Sequence, residues 1–314
     1  MNMMMNKTEK LAILLATYQG ERYLEEQLES LFGQTYGDWQ LYIHDDGSTD
    51  KTLEILDAYV KKYPDKVILV EGPSMGGAKE NFLYLMKQVE APFYMCCDQD
   101  DVWLPGKIEK TLQLMKQTEA NRQEEVPCLV FTELKVVDGS LKVIAESMSK
   151  YQRLDCVNLR LSRMLMQNAV TGCTMMMNRA LRDKVISYKD SSRIIMHDWW
   201  ASLIASQFGE IAYLEEATIL YRQHGENSVG ALDSNNMSYI LKKVRQFNNN
   251  KKAVENTQLQ AKELVESFDL PITSVPAKLA SCMEMSKAKR LKTYKENDFK
   301  KSGLARNLGL MIWG

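Results

Sequence analysis

The chain reads as an α/β protein, a mostly parallel, Rossmann-like sheet flanked by helices, with a helical appendage at its C-terminal end. Three observations predict this. Short apolar runs alternate with amphipathic stretches through the first 140 residues or so, polar clusters sit at the ends of several of those runs, and from about Ser234 onward the pattern is helical. Such a β-α-β order implies parallel strands covered on both faces. Ligands of these sheets bind outside the carboxyl ends of the strands.

The elements follow in order. Leu11 to Ala16 is the first expected strand, and Tyr23, Leu24, Leu28 and Leu31 recur at helical spacing after it. Leu41 to Ile43 is the second strand, followed by a helix with Leu53, Leu56, Tyr59 and Val60 on one face. Val67 to Val70, Phe93 to Cys97 and Leu129 to Phe131 continue the sheet, and Pro105 marks the start of a helix. Beyond residue 140 the spacing predicts a helix over Leu159 to Met166, a strand over Thr174 to Met177 and a helix over His197 to Ser206. Two separate short strands, Ile211 to Tyr213 and Thr218 to Tyr221, come next. Helices are expected over Tyr239 to Phe247, Ala253 to Phe268 and Lys278 to Tyr294, with breaks near Pro271 and Pro276. The expected division is 1–230 and 231–314.

Composition narrows the function. A length of 314 residues accommodates one large domain with an appendage. A net charge of −1 argues against a nucleic-acid partner, which would call for an excess of Lys and Arg. The six cysteines form no Cys-x-x-Cys pair, and several lie in apolar runs, as expected for a reducing, cytoplasmic compartment. No run is long enough for a signal peptide core or a membrane span. Lys287 to Lys301 is basic and precedes Leu304 to Trp313, where Leu304, Leu308, Met311 and Ile312 share a helix face. That face either packs on the body or makes peripheral contact with anionic lipid at the inner face of a plasma membrane.

Four clusters carry candidate chemistry. In His44-Asp45-Asp46-Gly47-Ser48-Thr49-Asp50, the turn and a helix cap account for the last four residues but not for the adjacent carboxylates, which repel unless a donor or cation meets them. Asp98-Gln99-Asp100-Asp101 places three carboxylates at a strand end, more than one cap requires and suited to a divalent cation that keeps positions open for phosphates. His197-Asp198-Trp199-Trp200 opens a helix, where Asp198 either complements the dipole or accepts a proton from a hydroxyl. The two tryptophans are either core or a stacking surface for a sugar. Tyr221-Arg222-Gln223-His224 ends a strand, where His224 either completes a Mn²⁺ shell or joins Arg222 in neutralising a diphosphate. Gly76-Gly77-Ala78-Lys79 is either a glycine turn that offers Lys79 to a ligand or a plain loop, and Gln167 to Cys173, with Thr171, is placed to line an acceptor side.

Taken in order, Ala16-Thr17-Tyr18-Gln19, Asp45-Asp46-Gly47-Ser48-Thr49-Asp50, Asp98-Gln99-Asp100-Asp101 and His197-Asp198 resemble a family 2 glycosyltransferase of the GT-A fold, over roughly residues 9 to 230. Gln167 to Met177 and Tyr221 to Gly230 are similar to bacterial rhamnosyltransferases of surface-polysaccharide assembly. The resemblance implies that Thr17, Tyr18, Asp46, Asp98 and Gln99 hold the nucleotide, with Lys79 beside them. It implies ribose and Mn²⁺ or Mg²⁺ on Asp98 and Asp100, with the metal on Asp100 and with Asp101 adjacent, and Asp198 as general base; His224 joins the metal set only on the reading of its own cluster. His197, Trp199, Thr171 and Arg222 are then placed toward acceptor or donor sugar. His197 stands where such enzymes usually carry a second acidic residue. The implied reaction is inverting transfer from a nucleotide sugar, dTDP-L-rhamnose first and a UDP-hexose second, to a saccharide or lipid-linked glycan. A nucleotidyltransferase is the rival enzyme, but its glycine- and arginine-rich phosphate loop has no counterpart in Ala16 to Glu21. A non-catalytic binding protein would be free to lose the acidic strand ends.

Overall fold

The structure, a computed structural model, describes residues 6–7, 10–120, 125–224 and 247–313. A short parallel pair, β1 (Asn6–Lys7) and β5 (Val89–Glu90), stands apart from the main sheet. The first half of that sheet is β2 (Leu11–Thr17), β3 (Trp39–Asp45), β4 (Val67–Leu69) and β6 (Phe93–Cys97), joined through α1 (Leu24–Phe32), α2 (Thr52–Lys62) and α3 (Ala78–Gln88). These four strands run parallel in the order β4-β3-β2-β6. After β7 (Val102–Trp103) and α4 (Lys107–Ala120) come β8 (Cys128–Val137) and β9 (Val143–Ala145). Two short helices, α5 (Met148–Gln152) and α6 (Leu161–Met164), precede β10 (Met175–Asn178), α7 (Arg179–Val185), α8 (His197–Phe208) and β11 (Glu210–Arg222).

The path across the sheet continues β6-β10-β8-β11-β7, with β9 on the edge of β8. Strand β10 runs antiparallel to both β6 and β8, while β11 runs parallel to β8 and β7 antiparallel to β11. The carboxyl ends of β2, β3, β6, β8 and β11 therefore lie along one edge. Alternation along β2 explains the two-sided core. Leu11, Ile13 and Leu15 pack with α1 and α4 residues such as Leu28 and Ile108, and Ala12 and Leu14 pack on the other side with Phe82, Trp200 and Leu203.

Two expectations differ from the structure. The two strands expected at 211–213 and 218–221 are one strand, β11, whose pairing with β8 shifts register on either side of Ala217. Glu215 and Glu216 break the apolar pattern there, but backbone pairing carries the strand through. The helix expected over Lys278 to Tyr294 is two, α10 (Val275–Ala280) and α11 (Lys287–Glu296), linked by a 3₁₀ turn over Ser281–Glu284. Ser274 caps the first by accepting the Ala277 N–H.

The helices that follow α8 in sequence pack against the body. In α9 (Phe247–Ser267), Glu263 accepts the N–H groups of Lys189 and Asp190, and Gln260 accepts that of Ile195. Val254, Leu264, Leu279, Tyr294 and Leu310 belong to the same apolar cluster as Trp200. The last helix is α12 (Leu304–Trp313). Among the described residues no helix is long and apolar enough to cross a membrane. The division near 230 and the greater part of the helix expected over Tyr239 to Phe247 lie outside the described residues.

Candidate active site

A cleft of about 1730 Å³ opens along the edge where the parallel strands end. It brings together Thr17, Tyr18, Asp46, Asp98, Gln99 and Asp100 from the first half of the chain with Thr171, His197, Asp198, Trp199 and His224 from the second. Helix α12 forms part of its wall through Ala305, Arg306, Gly309 and Leu310.

The Asp45-Asp46 pair divides its work. Asp45 is internal scaffolding: one oxygen accepts the Thr17 hydroxyl at 2.9 Å and that of Ser48 at 2.6 Å, and the other accepts the N–H groups of Gly47 and Ser48. Gly47, at φ +89°, makes the turn. Asp46 turns the other way, into a nest formed by the loop before α3, where it accepts the Ser74 hydroxyl at 2.8 Å and the N–H groups of Met75, Gly76 and Gly77. Burial alone would raise its pKa, but the loop donors outweigh burial and hold the carboxyl below the usual range. Gly76 and Gly77 carry φ values of +78° and +150°, which lets consecutive N–H groups converge.

The turn after β6 is tied to the turn after β2. The Gln99 amide accepts the Tyr18 N–H and donates to the Tyr18 carbonyl, each at 2.8 Å. Gly20 makes this approach possible, since a Cβ there would sit 2.5 Å from Gln99 Oε1. Gln99 thus faces the cleft with its amide engaged as a brace, and Gly20 is a site residue that sequence reasoning passed over.

The three carboxylates at 98–101 go to different places. Asp98 lies in the cleft, its pKa pushed up to about 7 by burial and by the charges of Asp100 and Asp198. Asp100 also lines the cleft, with its carboxylate 2.7 Å from His224 Nε2. Asp101 turns inward and is fully buried; it accepts the Arg222 N–H at 3.1 Å, and burial, then Asp100 and Asp98, raise it well above the carboxylate range. Behind it, Lys107 is fully buried over the Trp103 ring, and burial lowers its ammonium to about 8. Ligand atoms of Asp98, Asp101 and Cys173 lie within 4.8 Å of one another. Carboxylates this crowded, with an imidazole beside Asp100, fit a divalent cation, which would offset the repulsion that adds to burial in raising Asp98.

At the start of α8, Asp198 accepts its neighbour's Trp199 N–H at 2.6 Å. Burial raises its carboxyl to about 6, against bonds from Trp199, Gly172 and Asn168. His197 is 3% exposed, its ring 4.2 Å from that of Phe82, with no hydrogen-bond partner for either nitrogen among the described residues. Burial pushes it down to about 3, so it is a neutral ring. The tryptophans split. Trp200 is core, with Nε1 on the Val185 carbonyl, and Trp199 reaches the cleft with Nε1 on the Met164 carbonyl.

Two further expected residues also stand off the cleft. Lys79 donates to the carbonyls of Ser191 and Ile194, tying α3 to the turn ahead of α8. Arg222 is buried, stacks 4.3 Å from the Tyr23 ring, donates to the carbonyls of Asp100 and Gly139, and pairs with Glu26. In both cases nearby carbonyls claim the cation.

Residues 12–121 match the sequence profile of Glycosyl transferase family 2. The chain is 30% identical over 227 residues to the dTDP-rhamnosyl transferase RfbG of Shigella flexneri, an alignment covering 69% of this chain and 74% of that one. Among solved structures, S. aureus TarS 1–349 in complex with UDP shares the fold at TM-score 0.54 and 19% identity, over 92% of this chain and 88% of that one. A second TarS structure gives TM-score 0.57 at 18% identity, over 91% of this chain but 43% of that chain. The mixed, mostly parallel sheet flanked by helices is the GT-A architecture.

Proposed function

The chain belongs to glycosyl transferase family 2, and we propose that it moves a hexose with inversion, in one displacement, from a nucleotide-diphosphate donor to a saccharide or lipid-linked glycan. The observation that carries this reading is the convergence of Thr17, Asp46, Asp98, Asp100 and Asp198 on one cleft from opposite halves of the chain. In this reading Thr17, Tyr18 and Asp46 receive the nucleoside and Asp98 faces the ribose. Asp100 and His224 would hold Mn²⁺ or Mg²⁺, which when bound neutralises charge gathering on the departing diphosphate. Asp198, whose raised pKa suits a proton acceptor near neutrality, takes the proton of the attacking hydroxyl. His197, whose buried ring is held neutral by desolvation, contributes shape beside it. Trp199 and Thr171 line the side of the cleft where an acceptor would lie.

For the sugar we favour L-rhamnose carried on dTDP. The support is the similarity to a protein named as a dTDP-rhamnosyl transferase, together with Met166, Met196 and Trp199 in the cleft wall, apolar groups that suit the C6 methyl of a deoxy sugar. Titrating the purified protein with dTDP-rhamnose, UDP-hexoses and GDP-hexoses, with and without Mn²⁺, tests both levels. Cation-dependent binding selective for dTDP-rhamnose is expected. Selectivity for a UDP-hexose would refute the rhamnose assignment alone, and absence of nucleotide-sugar binding would refute the donor class. Asp100→Ala is expected to remove the cation dependence.

A further inference from the structure

Helix α12 is amphipathic in an unusual position. Its inner face is fixed: Leu310 is buried in the core, Arg306 donates to the carbonyls of Gln152 and Arg153, and Lys287 closes its last turn on the Ile312 carbonyl. Its outer face is apolar. Leu304, Leu308, Met311 and Ile312, at helical spacing, are 85%, 60%, 60% and 55% exposed. Val157, 87% exposed, follows two residues after Asp155, whose N–H is bonded to Ser302 just ahead of the helix. Apolar residues scattered singly need no explanation, but four on one helix face do. Leu308 and Ile312 also line the cleft, so the apolar face runs to its rim.

Basic residues lead into this helix, and Lys287 reaches its last turn at the Ile312 carbonyl. From Ser286 to Trp313 the chain carries eight Lys and Arg against only Glu296 and Asp298, including exposed Lys287, Lys289, Lys292, Lys295 and Lys300. We propose that α12 and the basic segment leading into it dock the protein on an anionic lipid bilayer, setting the mouth of the cleft at the membrane surface. An apolar stripe preceded by an exposed lysine-rich segment, one of whose lysines bonds its last turn, matches an interface whose headgroups are negative and whose next layer is hydrocarbon. A second copy of the chain fits less well, because isologous pairing of this face would bring two lysine-rich segments together. The docking does not depend on the sugar transferred. Its consequence, that a lipid-linked acceptor enters the cleft past Leu308 and Ile312, rests on the function proposed above.

The test is sedimentation of the full chain with sucrose-loaded vesicles, of phosphatidylcholine alone or with phosphatidylglycerol, without any sugar substrate. Binding is expected only with the anionic vesicles and should weaken with salt. The double variant Leu304→Ser/Met311→Ser touches neither the cleft nor the core and should melt like the parent while partitioning at least about tenfold less, as expected from two apolar side chains withheld from the interface. Lys289→Ser/Lys292→Ser/Lys295→Ser should lose on the order of a hundredfold, at about fivefold per lysine. Equal binding to neutral vesicles, binding to neither, or a double variant that partitions like the parent would each overturn the proposal. A dimer in analytical ultracentrifugation that the double variant abolishes would overturn it in favour of a second copy. Failure of nucleotide-sugar binding leaves these readouts untouched.

Discussion

Asp198→Asn should inactivate the protein and make it more stable at the same time. In the folded cleft the Asp198 carboxyl is raised from 3.8 to about 6 by burial, partly offset by hydrogen bonds from Trp199, Gly172 and Asn168. A folded pKa above the unfolded one means that the folded state binds the proton more tightly. The charged carboxylate therefore costs nothing below the unfolded value of 3.8, and its cost is complete above about 6. Two units of difference correspond to about 3 kcal/mol at pH 8. Asparagine has no charge to desolvate, and its amide oxygen can still accept the Trp199 N–H, so a gain of about 1–3 kcal/mol is expected, each kcal/mol raising Tm by about 2–4 °C. Loss of the proton acceptor should lower kcat by about 10²- to 10⁴-fold. The assays are thermal unfolding at pH 4 and pH 8 without divalent cation, and sugar transfer at pH 8. The stabilisation should be present at pH 8 and absent at pH 4. Turnover equal to that of the parent, or a Tm difference that is the same at both pH values, would refute the placement of a strained base at this position.

Three other outcomes are expected. The pH profile of kcat/KM should show an acid limb near pH 6 from Asp198, and His197→Gln should leave its midpoint in place, since burial already holds that ring neutral down to about 3; a limb that disappears with His197 would transfer the role to the imidazole. Ser74→Ala removes one of the loop's holds on Asp46 and should tighten nucleotide binding by up to about tenfold, because the loop and the nucleoside compete for the same carboxylate; weaker binding by calorimetry would show that the loop is part of the nucleotide site. Gly209→Ala would place a Cβ 1.8 Å from the Pro127 carbonyl oxygen, backbone against backbone, where β8 and β11 begin to pair; urea unfolding should show a loss of about 3 kcal/mol or more, and a neutral result would mean that the two strands part there without cost.

The sheet could be read from the chain where one physical signal dominated. Leu11 to Thr17 is apolar at every position but the last, as a strand buried on both faces must be, and it became the centre of the parallel block with α1 and α3 on opposite sides. What escaped was set by pairing rather than by composition. Val102–Trp103 is too short to show any period and is a strand only because Ile219 and Leu220 lie opposite. Glu215 and Glu216 look like a loop between two strands, yet β8 holds β11 together across them. The break at Ser281 to Glu284 has no glycine or proline inside it, and within that turn Cys282 is buried in the core.

At the site, sequence position identified the carboxylates but not what each of them faces. Asp46, Asp98, Asp100 and Asp198 reach the cleft from strand ends and a helix start, whereas Asp45 and Asp101, at the same strand ends, are claimed by neighbouring hydroxyl and N–H groups. The donors were harder to place, because a buried cation or amide goes wherever carbonyls need it, and those carbonyls come from remote segments: Ser191 for Lys79, Gly139 for Arg222, Tyr18 for Gln99. The consequence is sharpest at Asp100. Its carbonyl accepts Arg222 Nε at 2.9 Å and its carboxylate meets His224 Nε2 at 2.7 Å, so Arg222, which ends β11, and His224, two residues beyond it, hold the backbone and the side chain of the same aspartate. The Asp-x-Asp turn is therefore aimed by a strand more than a hundred residues away. Arg222 fixes where Asp100 stands and His224 where its carboxylate points, and under the proposed function a cation there would take the place of the hydrogen bond between that oxygen and that nitrogen.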